Sequence, residues 1–150
     1  MDVTASLDAP CAPDRLFALV DRLDDYPAWM PLAHRVGAAE PDADGRPAWD
    51  VELRARVGPL ARSKRLRMVR TTHDAATGTA VFERNETDGR RHSPWVLRAT
   101  VSGEGTGSRL DMHLHYGGGL WTGGLMERVL ADQITAGRSR LLDKISSTAP

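Results

Sequence analysis

The amino-acid sequence predicts an α+β fold, a curved antiparallel sheet with one long C-terminal helix laid across its face. Three observations carry this expectation. Met126, Leu130, Ile134, Leu141 and Ile145 recur at steps of four or near it, the spacing that lines one face of a helix. Ahead of them run several stretches in which apolar and polar residues alternate, the pattern of strands with one buried face. Between the two lies Gly117-Gly118-Gly119, which ends the last strand before the helical spacing begins. A sheet curled around a helix encloses a pocket, so the pattern suggests a container for a small apolar molecule.

The elements follow in order. Val3, Ala5 and Leu7 alternate with Thr4, Ser6 and Asp8 as a first strand. Pro13 suits a first helical turn, Asp14 favours the positive end of the helix dipole, and Leu16, Phe17 and Val20 form its buried stripe. Two prolines confine Asp24 to Pro31 to a brief helix or turn, although Tyr26, Trp29 and Met30 in it need cover. His34 to Glu40 is a weak strand, and Pro41 to Gly45 a turn. Trp49, Val51, Leu53, Ala55 and Val57 alternate with charged residues as far as Gly58-Pro59, and Arg62 to Thr72 continues as a strand. After a turn at Asp74 to Gly78 come strands at Thr79 to Thr87, Ser93 to Ser102 and Arg109 to Tyr116. Asp88-Gly89 and the Gly-rich Gly103 to Gly107 supply the hairpin signals between these last three.

These turns set a register. A two-residue loop at Asp88-Gly89 places Phe82 opposite Trp95 and Arg84 opposite Ser93. A hairpin centred on Gly105 and Thr106 places Trp95 opposite Tyr116, Leu97 opposite Leu114 and Ala99 opposite Met112. A tight turn at Gly58-Pro59 sets Glu52 across from Arg67. The two C-terminal hairpins gather large apolar residues on a common face and leave Arg98, Thr100, Asp111 and His113 on the other. A one-residue slip would invert that assignment.

Composition narrows the function. The 150 residues are expected to form one domain, long enough to bury roughly 70% of the unfolded chain's surface. Twenty basic residues balance twenty acidic ones, so no global field recruits nucleic acid or an anionic membrane. Arg62, Lys64, Arg65, Arg67 and Arg70 form a basic run with little aromatic interleaving, read as a solvated edge rather than an RNA surface. A single cysteine, Cys11, with no nearby base supports neither a disulfide nor a nucleophile. Without a secretory signal or an apolar stretch near ~20 residues, the expected setting is the cytoplasm, with no membrane insertion. No phosphate loop or dinucleotide fingerprint is present, and no cofactor is expected. Asp111, His113 and His115 share a strand face opposite the apolar one, so they point to solvent and no metal site is expected.

The candidate pocket is lined by Trp49, Met68, Phe82, Trp95, Leu97, Met112, Leu114 and Tyr116 and roofed by Met126 and Leu130. The alternative is a filled hydrophobic core. Methionines and amphipathic aromatics suit an adaptable cavity, and Gly123, Gly124 and Gly137 leave the helix thin where a solid core wants bulk. Arg70, Arg84 and Glu86 also fall on the apolar face, where a lone charge is costly. They read as a polar anchor for a ligand carboxylate, phenol or enolate, or as strand-end positions and an Arg84–Glu86 ion pair. A register error would also remove the anomaly.

The first strand ending near Ala9-Pro10, the run Ala12 to Val20, and Asp25-Tyr26-Pro27-Ala28-Trp29-Met30-Pro31 together resemble the opening of START-like proteins. Within that SRPBCC superfamily the likeness is to the polyketide cyclase/dehydrase and lipid-transport group, and Arg109 to Leu114 with the terminal helix fits the same pattern. The resemblance implies a helix-grip fold: seven antiparallel strands wrapped around the C-terminal helix, with two small helices after the first strand. It implies a cavity for lipids, polyketides or isoprenoids, and on the binding reading the segment Tyr26 to Met30 gates its mouth. The leading expectation is a binder of a small hydrophobic molecule, with Arg70 or Arg84 orienting its polar end. The alternatives are a polyketide cyclase or dehydratase using Arg70 or Arg84 with Tyr26 or Tyr116, and a protein- or ribosome-interacting member.

Overall fold

The computed structural model describes residues 1–57, 59–117 and 125–147, with no account of the side chains at 57, 125–127, 129–131 and 134. Strand β1 (Asp2–Ala9) leads into helix α1 (Pro13–Val20) and a 3₁₀ helix (Leu23–Ala28). Six strands follow: β2 (Ala33–Ala39), β3 (Ala48–Val57), β4 (Leu60–Asp74), β5 (Thr79–Arg84), β6 (Trp95–Glu104) and β7 (Gly107–Tyr116). Helix α2 (Leu125–Ser147) closes the chain. The strands form one curved antiparallel sheet in the order β1-β7-β6-β5-β4-β3-β2, the helix-grip arrangement with short helices after the first strand.

The last hairpin has the register its turn chemistry dictates. Gly105 takes a left-handed φ of 57° in the turn, and Trp95 pairs with Tyr116, Leu97 with Leu114 and Ala99 with Met112. Two other registers are corrected, and Arg84, expected opposite Ser93, lies beyond the β5–β6 ladder, which ends at Glu83 and Val96. Phe82 lies opposite Leu97, not Trp95, because β5 stops at Arg84 and residues 85–94 form a longer connection. Asn85 N–H there donates to the Arg67 carbonyl (3.0 Å) and the Glu86 carboxylate accepts from Arg67 N–H (3.0 Å), drawing the chain back toward β4. Glu52 faces Arg65, and Asp50 faces Arg67: the turn is as tight as expected, Val57 pairing with Leu60, but the register from that pair runs back to Glu52 and Arg65. Both corrections are shifts of two residues, so every side chain keeps its face.

The buried stripe of α1 is Leu16, Phe17 and Val20, and the helix packs against β6 and β7. Burying each such side chain contributes on the order of 1.5–3 kcal/mol. The 3₁₀ helix packs against β2 and α1. Helix α2 packs against β1, with Leu141 and Ile145 buried. It is tied at two points: Arg138 Nη2 donates to the Ser6 carbonyl (2.8 Å), and Arg15 Nη2 donates to the Ile145 carbonyl (2.6 Å). The roofing expected of Met126 and Leu130, the Ile134 position, and the thinness expected at Gly123 and Gly124 lie outside the described residues and side chains.

Gly137 is described, and its role differs from the expected one. A Cβ there would stand 2.7 Å from the Trp29 carbonyl oxygen and 3.5 Å from its ring. The thin point in the helix is therefore occupied by the backbone of Trp29. Gly137→Ala should lower stability by about 1–3 kcal/mol despite alanine's better helix propensity, because the backbone contact cannot yield cheaply. Urea denaturation measures this; a gain in stability would show that α2 can move off Trp29 without cost.

Candidate functional site

The ladders assign the concave face residue by residue. One row across the sheet runs Val3, Leu114, Leu97, Phe82 and Arg70. Beside it lie Ala5, Met112, Ala99 and Ala80 on one side, and Tyr116 with Trp95 on the other. Toward the far edge come Arg84, Met68, Trp49 and Ala38. The eight expected lining residues thus share one face.

One half of that face is filled by protein. Tyr26 packs on Trp29 (ring centres 4.8 Å apart), Tyr26 meets Phe82 edge-on at 6.2 Å, and Phe82 meets Trp49 edge-on at 5.6 Å. Such ring pairs add about 0.5–1.5 kcal/mol each beyond area burial. Trp49 is fixed further by its Nε1–H donating to Asp24 Oδ1 (3.0 Å). Met30 is half-buried and joins Trp29, Ala5, Leu7, Leu110, Met112 and Leu141 around a void of about 20 Å³, room for one water.

The other half is less completely covered. Leu97 and Leu114, opposite one another on the third and second strands from the β1 edge, are only partly buried. Their neighbours along the same strands, Trp95, Ala99, Met112 and Tyr116, are all buried. Trp95 stacks on Tyr116 with centres 5.1 Å apart, and the Tyr116 hydroxyl donates to the Met1 sulfur. Leu97 and Leu114 are thus less covered than the same-face side chains before and after them on β6 and β7, and Val3 beside Leu114 is partly buried with them.

The charged residues on this face have mostly found protein partners. Arg84 Nε meets Glu86 Oε1 at 3.0 Å, and its Nη1 reaches the Ser93 carbonyl and Oγ, each at 3.3 Å. Arg84 thus forms the ion pair that the sequence left as one of its two alternatives. Arg70 Nη1 donates to the Asp21 carbonyl just past α1 (2.9 Å), while its buried Nε has no partner. Burial pushes the Arg70 guanidinium below its ordinary value. Tyr26 donates its hydroxyl to the Val20 carbonyl (2.8 Å), and burial, seconded by Asp21, drives its ionisation far above the ordinary tyrosine range.

One residue was missed. Lys64 shares the inward parity of Leu66, Met68 and Arg70, and its Nζ lies 5.9 Å from the centre of the Trp95 ring. Burial, joined by the Arg84 charge, lowers its pKa. The even-numbered alternation through β4 was the available signal, masked by the basic run around it. Buried polar atoms without a partner also gather on helices and strands around this face: Trp29 Nε1, Trp95 Nε1 and Gln133 Oε1.

The convex face carries a separate polar group. Asp2 Oδ1 meets His113 Nε2 at 2.8 Å and His115 Nδ1 at 3.0 Å, while Asp111 is taken by Ser6 and Arg109. The two histidine hydrogen bonds hold the Asp2 carboxyl below its ordinary value. Among the described residues no three His, Cys, Asp or Glu side chains converge as metal ligands, and no helix is long and apolar enough to cross a membrane.

The pinned hydroxyl of Tyr26 makes a test. Tyr26→Phe should cost about 1–3 kcal/mol of stability by orphaning a buried carbonyl, with binding of a neutral apolar dye unchanged. Chemical denaturation and a dye titration read the two separately; a loss of dye affinity at unchanged stability would place the hydroxyl in the ligand site instead.

With the geometry established, the chain can be set beside known proteins. Among curated protein sequences none matches it. Of solved structures, protein TTHA0849 from Thermus thermophilus superposes with a TM-score of 0.73 at 15% identity, covering 99% of this chain and 100% of that one. A START superfamily protein from Mycobacterium smegmatis gives a TM-score of 0.72 at 14% identity, covering 99% of each chain. The di-domain ARO/CYC protein BexL from the BE-7585A biosynthetic pathway gives 0.67 at 13% identity, over 100% of this chain and 48% of that one. At these identities the likeness is one of fold. The sequence itself matches the model for polyketide cyclase/dehydrase and lipid transport proteins over residues 1–148, and the chain belongs to that family.

Proposed function

We propose that this protein binds a small hydrophobic molecule of lipid, polyketide or isoprenoid type between its concave sheet face and the C-terminal helix. The observation that carries this reading is the partial exposure of Leu97 and Leu114 on the concave face, between the buried Trp95 and Tyr116 on one side and the buried Ala99 and Met112 on the other. In a filled core both would be covered, since each leaves transfer free energy of roughly 25 cal/mol per Å² unrealised. A ligand burying about 200 Å² of apolar surface there gains on the order of 5 kcal/mol before its ordering costs. Family membership supports the same conclusion. A carrier of this kind needs no cofactor and no catalytic constellation.

Cyclisation of a poly-β-ketone is the less favoured reading. Arg70, Arg84 and Tyr26 would each have to abandon a protein partner to stabilise an enolate or move a proton. The ribosome-interacting reading gains no support from the balanced charge.

Leu114→Trp tests the binding reading by filling the space with a side chain. Native mass spectrometry of gently purified wild type should show an apolar adduct or uptake of the neutral dye N-phenyl-1-naphthylamine. The variant should lose it at least ten-fold while its unfolding midpoint is kept or raised. Equal dye affinity in both proteins, or none in either, would reject the site.

A further inference from the structure

We infer that the ligand of this cavity is an apolar acid, its anionic group held between the Lys64 ammonium and the Trp95 indole N–H. This deepens the binding reading above and rests on it. Three partly buried cations of the described strands share the concave face, Lys64, Arg70 and Arg84, and two are already engaged. Arg84 is neutralised by Glu86, and Arg70 is held by the carbonyl of Asp21. Among the described residues Lys64 has no carboxylate in ion-pair reach; it rests instead over the face of Trp95. The indole N–H of that same ring is fully buried and has no acceptor. Two unpaired donors thus flank one aromatic side chain, next to the partly buried Leu97 and Leu114.

The chemistry that satisfies both is an acceptor carrying negative charge. Lys64, Arg84 and Glu86 together sum to one positive charge, which a neutral ketone or alcohol would leave uncompensated. Burial already disfavours the charged lysine, and an incoming anion reverses that penalty. A carboxylate or sulfonate accepts from both donors at once while its apolar body covers the leucines. Neutral apolar ligands are bound only through that body.

The test uses two dyes that differ by a single group. 1-Anilinonaphthalene-8-sulfonate carries a permanent negative charge, and N-phenyl-1-naphthylamine is the same ring system without it. Both are titrated by fluorescence into the full-length protein. Lys64→Met should weaken the sulfonate about ten-fold or more, the size of a charge-assisted hydrogen bond, and change the neutral dye less than about two-fold. Lys64→Arg should restore the sulfonate. Trp95→Phe should weaken the sulfonate several-fold, and its unfolding midpoint should hold or rise as an orphan donor disappears. Lys64→Gln replaces Lys64→Met if circular dichroism shows the latter unfolded. A sulfonate affinity indifferent to Lys64, or both dyes weakened alike, would overturn the inference while leaving the cavity standing. Failure of wild type to bind either dye would overturn both.

Discussion

A curved sheet of seven strands has more inner surface than one helix can cover. At roughly 4.8 Å between strands the sheet is on the order of 29 Å wide, whereas a helix with its side chains is about 10 Å across. The remaining apolar surface must meet something other than water. Here the shortfall is met unevenly. Helix α2 leans on β1, and the 3₁₀ helix sends Tyr26 and Trp29 into the side facing Phe82 and Trp49. Between these two covers lie Leu97 and Leu114. Their partial burial follows from where the aromatic cluster stops, and it is there that the proposed ligand is placed.

The same shortage explains the polar hub at the end of β5. Once the chain leaves the β5–β6 ladder, Arg67 and Arg84 need partners in a partly desolvated place. Glu86 serves both, accepting from the Arg67 backbone and the Arg84 guanidinium, while the Arg67 side chain bonds the carbonyls of Asn85 and Glu40. Removing one member of such a set leaves a buried charge uncompensated, which costs far more than the set contributes as a whole. The connection 85–94 is long because these bonds, rather than a tight Asp-Gly turn, decide its path. Gly89 keeps its left-handed φ of 72°, but as a local bend within that loop.

Much of this was legible because strand period and face are linked. Alternation in β6 and β7 with a glycine turn between them fixed partners to the residue. The two misplaced registers differ from the expected ones by two residues, so the strand residues keep their faces. What escaped the sequence was whatever depends on long-range partners. Nothing local to Arg84 announces Ser93, and nothing near Arg70 announces the carbonyl of Asp21. Gly137 was read as a vacancy, whereas it admits the Trp29 backbone, a contact across more than a hundred residues. Lys64 was hidden by its basic neighbours, although its parity already pointed inward.

The partition of polar groups on the concave face bears on which ligands are accepted. Donors already bonded to protein contribute nothing to discrimination, because a ligand must break one bond to form another. Unpaired buried donors act the other way: each costs the empty protein about 1–3 kcal/mol, and only a ligand with a matching acceptor recovers it. An apolar body supplies affinity that varies little between similar molecules, on the order of 1–3 kcal/mol per methylene-sized difference. Selectivity therefore concentrates where the structure has left polarity unanswered. On this face such polarity includes the Nε of Arg70 and the ring of Trp95, with its free N–H at the edge and the half-buried Lys64 over its plane.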